Sequence, residues 1–310
     1  MKKKILAVSL GMAMAASLLA GCGSSAEETT AAATEAAETE TEAETEAEAE
    51  AEETEAEETE AEAAEDTEAA AEAGDEDAEA GGTLIVGFDQ DFPPMGFIGD
   101  DGEYTGFDLE LAQEVASRLG LEYKPQPIAW DAKDMELESG SIDCIWNGFT
   151  MEGREDDYTW SDPYMDNSQV FVVRNDSGIT SAADLAGKVV EVQIDSSGQK
   201  ALEANEELTD TFAQLITTPD YNTAFMDLEQ GTVDAICMDV IVAGYQIQER
   251  EADMTILEDE VASESYGIGF KKGNTELRDK VNDTLKEMAA DGTLAEISNK
   301  WFGTDVTTIK

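Results

Sequence analysis

Histidine is absent from this chain of 310 residues, and cysteine occurs only three times. Without histidine there is no Ser–His or Cys–His nucleophile pair, no imidazole general base and no histidine-ligated metal site. Basic residues are scarce as well. Eighteen lysines and arginines face 72 aspartates and glutamates, a formal net charge of -54. Nucleic acids require a basic footprint, so the composition argues for no nucleic acid as partner; adsorption to an anionic membrane surface is disfavoured for the same reason. Long apolar runs are missing too, apart from positions 5–19, which are too few to span a bilayer and remain there.

That run follows Lys2, Lys3 and Lys4 and ends Leu19-Ala20-Gly21-Cys22. A basic start, a short apolar core and small residues read as an export signal over 1–21. The last four residues resemble the lipobox of bacterial lipoproteins. The resemblance implies cleavage before Cys22 and acylation of Cys22. The protein would then sit outside the cytoplasm, lipid-anchored to the outer face of the cell membrane, in the periplasmic space if the cell has an outer membrane. Cys144 and Cys237 each fall in an apolar, strand-like run and are expected as separate buried thiols. Positions 22–82 are mainly Glu, Ala and Thr with no lysine or arginine. Glutamates one helical turn apart repel and nothing apolar can be buried, so a disordered acidic tether is expected, with an acidic interaction tail as the alternative.

From position 83 onward strands and helices alternate, the rhythm of an α/β fold with parallel strands. Strands are expected at 84–88 and 122–127. Between them Asp108 is expected to N-cap a helix that Gly120 ends. Four methionines, Met95, Met135, Met151 and Met165, read as core filling rather than a metal box. The body is organised around 141–165. An apolar run at 142–146, between Gly140 and Gly148, reads as a buried strand, and Thr150 is expected to cap a following helix with Arg154 one turn later. A guanidinium beside a helix N-terminus makes a trap for a carboxylate, which its planar fork grips at two points. The pattern around Gly140 recurs: Leu137-Glu138-Ser139-Gly140-Ser141-Ile142-Asp143 is echoed by Leu228-Glu229-Gln230-Gly231-Thr232-Val233-Asp234, which points to two similar lobes.

An ordered series of short motifs covers 83–302. It includes Val86-Gly87-Phe88-Asp89 with Phe92-Pro93-Pro94, Gly106-Phe107-Asp108-Leu109, Thr150 with Arg154, and Trp160-Ser161-Asp162-Pro163-Tyr164. Asp184-Leu185, Gly187-Lys188, Val192-Gln193, Gly231 with Val233-Asp234-Ala235, Tyr266-Gly267-Ile268-Gly269, Asp291-Gly292-Thr293 and Lys300-Trp301-Phe302-Gly303 follow. Together these residues resemble the amino-acid-binding receptors of bacterial ABC importers, solute-binding protein family 3. Met95, where the family often has an aromatic residue, and Gln193-Ile194-Asp195-Ser196, where a glycine commonly precedes the hydroxyl residue, depart from that pattern.

The resemblance implies a two-lobed, periplasmic-binding-protein-like (type II) α/β fold with a hinge and a central ligand cleft. Lobe 1 would comprise 83–166 and 266–310, and lobe 2 would comprise 167–265. It implies a monomer, not an enzyme, with no cofactor, that closes on a free α-amino acid and delivers it to an ABC permease in the membrane. Arg154 would clamp the α-carboxylate with Thr150 and the amides near Asn147 and Gly148, Ser196 and Ser197 would add donors, and Asp239 would accept from the α-ammonium. Asp89, Phe92 and Trp130 would surround the side chain, and Asp89 mildly favours a polar or cationic one. An enzyme on the same scaffold, such as a dehydratase, and an amino-acid sensor for a signalling partner are the alternatives.

Overall fold

The computed structural model describes residues 82–310; the leader 1–21, Cys22 and the acidic stretch up to 81 lie outside the described residues. The first strand, β1 (Thr83–Phe88), buries Leu84, Val86 and Phe88. A small antiparallel sheet of β2 (Asp91–Phe92), β3 (Gly96–Ile98) and β4 (Tyr104–Thr105) leads into α1 (Phe107–Leu119). Helix α1 turns Leu111, Ala112, Val115 and Ala116 to the core and ends at Gly120, whose φ of 70° closes the helix in the left-handed region. β5 (Glu122–Pro127) then pairs in parallel with β1 over its whole length. α2 (Lys133–Ser139) runs to Gly140, and the fully buried β6 (Cys144–Thr150) returns on the other side of β1.

After the short β7 (Thr159–Trp160), the ten-residue β8 (Met165–Arg174) leads to a second set of parallel strands. Here β9 (Val189–Gln193), α3 (Ser197–Ala204), α4 (Glu206–Thr209), β10 (Gln214–Thr218), α5 (Tyr221–Gln230), β11 (Ala235–Asp239) and α6 (Val240–Glu249) follow. The long β12 (Met254–Phe270) comes back antiparallel to β8 and continues alongside β6. α7 (Thr275–Asp291) and α8 (Thr293–Phe302) pack on α1. The sheet order is β10-β9-β11-β8-β12-β6-β1-β5, so the antiparallel pair β8/β12 sits between two parallel halves.

The sequence echo is a structural one. Gly140 (φ 78°) and Gly231 (φ 74°) both end a helix in the left-handed region that a side chain disfavours. Three residues later each half uses an aspartate to staple its first strand: Ile85 N–H donates to Asp143 Oδ2 at 2.7 Å, and Val189 N–H donates to Asp234 Oδ2 at 2.9 Å.

Four expectations need correction. Thr150 caps no helix. It closes β6, and 151–158 fold as turns, with Arg154 N–H donating to the Met151 carbonyl and Asp157 N–H to the Arg154 carbonyl. Gly153 lies at φ 75° within a run containing Glu152, Glu155, Asp156 and Asp157, which favours turns over a helix. Asp108 is no cap either. Gly106 holds the N-cap position, and Asp108 is buried in the first turn, accepting from Gly148 N–H at 2.6 Å and Tyr164 O–H at 2.9 Å. The buried strand starts two residues later than 142 and runs four further than 146, because the polar Asn147 and Thr150 are held inside. Of the methionines, Met95 and Met165 are buried but Met135 is largely exposed on α2. Cys144 and Cys237 are free and buried.

Candidate ligand-binding site

Three strand ends of the two parallel halves deliver polar groups to one place, as the carboxyl ends of parallel strands do. β1 runs into Asp89, β9 ends at Gln193, and β11 ends at Asp239. Asn147, Gly148 and Thr150 come from β6, Arg154 from the turns after it, and Ser196 and Ser197 from the start of α3. With Phe92 and Trp130 these residues line one cavity. All ten residues singled out from the sequence face it. Gln193, quoted there in the Val192-Gln193 motif and in an atypical loop but not as a site residue, is the eleventh.

Arg154 is 2% exposed. One terminal nitrogen donates to the Thr150 carbonyl at 3.2 Å, the other to the Asp195 carbonyl at 3.1 Å, and the guanidinium lies 5.1 Å from the centre of the Phe149 ring. Its Nε meets no acceptor, and among the described residues it forms no ion pair with a carboxylate. A buried cation without a counter-charge is costly unless an anion arrives. Asn147 adds a second idle donor. Its Oδ1 accepts from Asp89 N–H at 3.0 Å, while its buried Nδ2 has no partner.

The amide expected from Gly148 is not free, since it donates to Asp108 away from the cavity. Gly148 is required for another reason. At φ 56° it has the Phe92 ring 3.0 Å and the Tyr266 ring 3.2 Å from where a Cβ would be, so only glycine lets the strand pass here. Ser196 caps α3, accepting from Gln199 N–H at 3.0 Å, and Ser197 Oγ accepts from Gln169 Nε2 at 3.0 Å; each hydroxyl proton stays available to a ligand.

Two aspartates also line the cavity, and neither forms an ion pair among the described residues. Asp239 is 3% exposed; Tyr266 O–H donates to its Oδ1 at 2.6 Å and Asn167 Nδ2 at 2.8 Å. Burial, and then the neighbouring Glu264 carboxylate, push Asp239 well above the usual carboxyl range. Asp89 Oδ1 accepts from Asp91 N–H at 2.9 Å and Oδ2 from Gln193 Nε2 at 2.6 Å; burial raises its pKa to about 6 in spite of these donors. The Gln193–Asp89 bond joins the two halves, as do Asn222 Nδ2 to Asp91 Oδ1 at 2.7 Å and the Lys133–Asp195 ion pair. Beyond Asp89 and Trp130 an open groove is rimmed by Asp91, Asp131 and Asp220. The described residues contain no cluster of three or more metal-ligating side chains.

Residues 84–304 match the model of the bacterial extracellular solute-binding proteins, family 3. The chain belongs to this family. The L-cystine-binding protein TcyJ of Escherichia coli is 36% identical over 229 residues, covering 73% of this chain and 85% of the relative. The arginine-binding extracellular protein ArtP of Bacillus subtilis is 32% identical over 225 residues, covering 71% of this chain and 86% of the relative. Among solved structures, a substrate-binding protein of an ABC uptake transporter from Streptococcus pneumoniae with bound histidine superposes with a TM-score of 0.71 at 38% identity, covering 73% of this chain and 94% of the other. As a family 3 solute-binding protein, the chain has the two-lobed α/β fold expected. The two parallel halves are its lobes, β8 and β12 connect them, and the cavity lies in the cleft between. No described helix is long and apolar enough to cross a membrane.

Proposed function

We propose that this protein is the extracytoplasmic receptor of an ABC importer and closes its lobes on a free α-amino acid. The observation that carries this is a pairing of opposite needs in one cavity. Arg154 is a buried cation lacking an anion, and Asp239 is a buried carboxyl lacking a cation. A zwitterion satisfies both at once. Arg154 takes the α-carboxylate, with the idle Nδ2 of Asn147 and the hydroxyls of Thr150, Ser196 and Ser197 as further donors. The start of α3 favours the same charge. Asp239 takes the α-ammonium, and Gly148 allows the close approach.

Phe92, Trp130, Asp89 and Gln193 then surround the side chain. With a pKa of about 6, Asp89 is mostly ionised at neutral pH, so aspartate and glutamate are disfavoured and a side chain with donors or a positive charge is preferred. The acidic groove beyond it extends the same preference. Relatives named for cystine and arginine, and a neighbour with bound histidine, agree with an amino acid of that kind. Catalysis by Asp89 is not favoured, because both its oxygens are engaged by Gln193 and the Asp91 amide. The division into 83–166 with 266–310 against 167–265, the monomeric state, the permease partner and the Cys22 lipid anchor complete the reading.

A thermal-shift screen of the full chain against the standard amino acids and L-cystine tests it. Ligand at about a hundred times its Kd stabilises by about 2.7 kcal/mol. A flat response across the whole set would refute the proposal. Labelling with a fatty-acid analogue, absent when Cys22 is Ser, tests the anchor separately.

A further inference from the structure

Asp239 does not stand alone. Asn167 Nδ2 donates both to Asp239 Oδ1 at 2.8 Å and to Glu264 Oε1 at 2.6 Å, so one amide nitrogen holds two carboxyl groups side by side. Gln169 Nε2 donates to the same Glu264 oxygen at 2.9 Å. Both acids are almost fully buried, Glu264 being 6% exposed, and neither forms an ion pair among the described residues. They sit where β11, β8 and β12 meet, Asp239 at the end of β11 and Glu264 on β12, one of the two strands that connect the lobes.

The hydrogen-bond inventory of this cluster is short of donors. Asn167 and Gln169 bring two N–H groups each and Tyr266 one O–H. They face four carboxyl oxygens, the Ser197 hydroxyl and the two amide oxygens, and Asn167 Oδ1 and Gln169 Oε1 are buried with no partner. Arg154 is the one cation among the residues that line the cavity with Asp239, and it forms no ion pair with either acid; the other ionisable groups nearby bring no positive charge. Tyr221 on α5 donates to the Cys237 carbonyl, Cys237 on β11 is a buried thiol held above its usual pKa by burial, and Tyr266 is already used. On its outer side Glu264 lines an open groove with Glu152, Asp166 and Glu260, which adds only negative charge and gives a proton a path to solvent. Two carboxyl groups held side by side without an ion pair to either favour a proton on Asp239.

We infer that Glu264 is a positioning residue for the ammonium site: its carboxyl, held beside Asp239 by Asn167, keeps a proton on Asp239 in the unliganded protein, and the arriving ammonium displaces that proton. The inference rests on the amino-acid reading of the cleft. The exchange balances. Asp239 goes from one proton to none, the ligand brings its three N–H donors and one positive charge, and the proton leaves for solvent. Glu264 touches no ligand in this scheme, acting through Asn167, Gln169 and its own charge beside Asp239. Burial and the Glu264 carboxylate, which hold Asp239 above the usual range, support the same picture.

Calorimetry on the full chain, with the standard amino acids and L-cystine as probes, measures the effect. At about pH 7, where the α-ammonium remains protonated, the observed heat should depend on the ionisation enthalpy of the buffer, with a slope corresponding to the release of up to about one proton. Kd should fall as pH rises, by up to about tenfold per unit. Glu264→Gln keeps the shape and the amide contact but removes the second acid, so proton release should drop close to zero and the pH profile should flatten. A Kd change in Glu264→Gln without that flattening would mark a packing role only. Should that variant not fold, infrared difference spectra of the wild type decide. Ligand addition should abolish a protonated-carboxyl C=O band. Binding with buffer-independent heat and no such band overturns the inference alone, whereas no binding by any probe overturns the amino-acid reading and the inference with it. Proton release retained by Glu264→Gln would assign the proton elsewhere, Asp89 being the other raised carboxyl in the cleft, and would overturn the pair.

Discussion

The two lobes are built on one plan and finished in opposite ways. In each, a helix ends on a left-handed glycine, a strand follows, and an aspartate three residues past the glycine staples the lobe's first strand. Past that point they diverge. β6 ends in Asn147, Gly148 and Thr150 and hands over to Arg154; β11 ends in Asp239 and runs straight into α6. One lobe thus offers a buried cation and donors, the other a buried acid, and on the proposed reading a zwitterion engages both. The scaffold repeats because its local rules are the same; the site does not, because its two ends answer opposite charges.

The strongest way to break this comparison is to remove one end at a time. Arg154→Ala should weaken amino-acid binding by about 2–5 kcal/mol, roughly 30-fold to several-thousand-fold in Kd, since it strips a hydrogen-bonded charge from a dry cleft. Arg154→Lys should recover only part, because an ammonium cannot span the Thr150 and Asp195 carbonyls and a carboxylate together. Calorimetry with an amino acid and its α-amide separates charge from packing. The amide should lose affinity for the wild type and little for Arg154→Ala. Equal binding of acid and amide by the wild type would sink the clamp.

Asp239→Ala is the complementary cut. A loss of the same order is expected at the high end of pH, but smaller near neutrality, where part of the affinity is already spent on expelling a proton. The N-acetyl ligand, which has no ammonium, should bind the wild type poorly and discriminate less between wild type and Asp239→Ala. If N-acetylation leaves wild-type affinity unchanged, Asp239 is not the ammonium site.

How much of this was legible before the structure depends on the range of the forces involved. Strands β1 and β5, the helix stops at Gly120, Gly140 and Gly231, and the lobe echo were legible because periodicity and glycine act within a few residues. Of the ten cavity residues, Arg154 and Thr150 were legible as a carboxylate trap, and the others only through the family resemblance. What failed was tertiary. Asp108 looks like a cap in sequence, yet the Gly148 amide and Tyr164 hydroxyl, 40 and 56 residues away, claim its carboxylate. Arg154 looks helical, yet the Thr150 and Asp195 carbonyls hold it in a turn. Glu264 carries no local signal at all, since only the pairing of β8 with β12 brings it to Asn167.

A smaller effect sharpens the likeness of the lobes. Asp143→Ala and Asp234→Ala each leave one backbone N–H of a first strand without its carboxylate. Each should cost about 1 kcal/mol, or 2–4 °C in Tm for a body of this size, and amino-acid affinity should barely move. Thermal melts and calorimetry on both variants check this. The two need not match fully, because Asp234 also lies 3.5 Å from Lys188 whereas Asp143 has no cation. A large change in affinity from either would show that the staple, and not only the strand end, shapes the cleft.

The smallest effect contrasts two buried acids, one in each lobe. Burial raises both Asp108 and Glu191 to about 7; Asp108 Oδ2 accepts from both Gly148 and Tyr164 while its Oδ1 meets no donor, and Glu191 Oε2, beneath α5 on β9, likewise meets none. A carboxyl whose folded pKa lies above its unfolded value binds its proton more tightly when folded. Its contribution is therefore complete below about 4.5 and lost as pH rises through about 7. Above that pH the native state carries an ionised, buried and half-unsatisfied Glu191, with Asp220 and Asp227 adding repulsion. Glu191→Gln removes the ionisation and keeps the volume. Its Tm should equal that of the wild type at acid pH and exceed it by a few degrees at about pH 8, equivalent to about 1 kcal/mol. Asp108→Asn should show the opposite balance, losing stability across the range because Gly148 N–H and Tyr164 O–H then meet a neutral carbonyl and the new amide nitrogen takes the place of Oδ1, which has no partner. Melts of both variants across pH decide the matter. A Glu191→Gln protein less stable than wild type at alkaline pH would mean that Glu191 has a use in its lobe which the missing partner conceals.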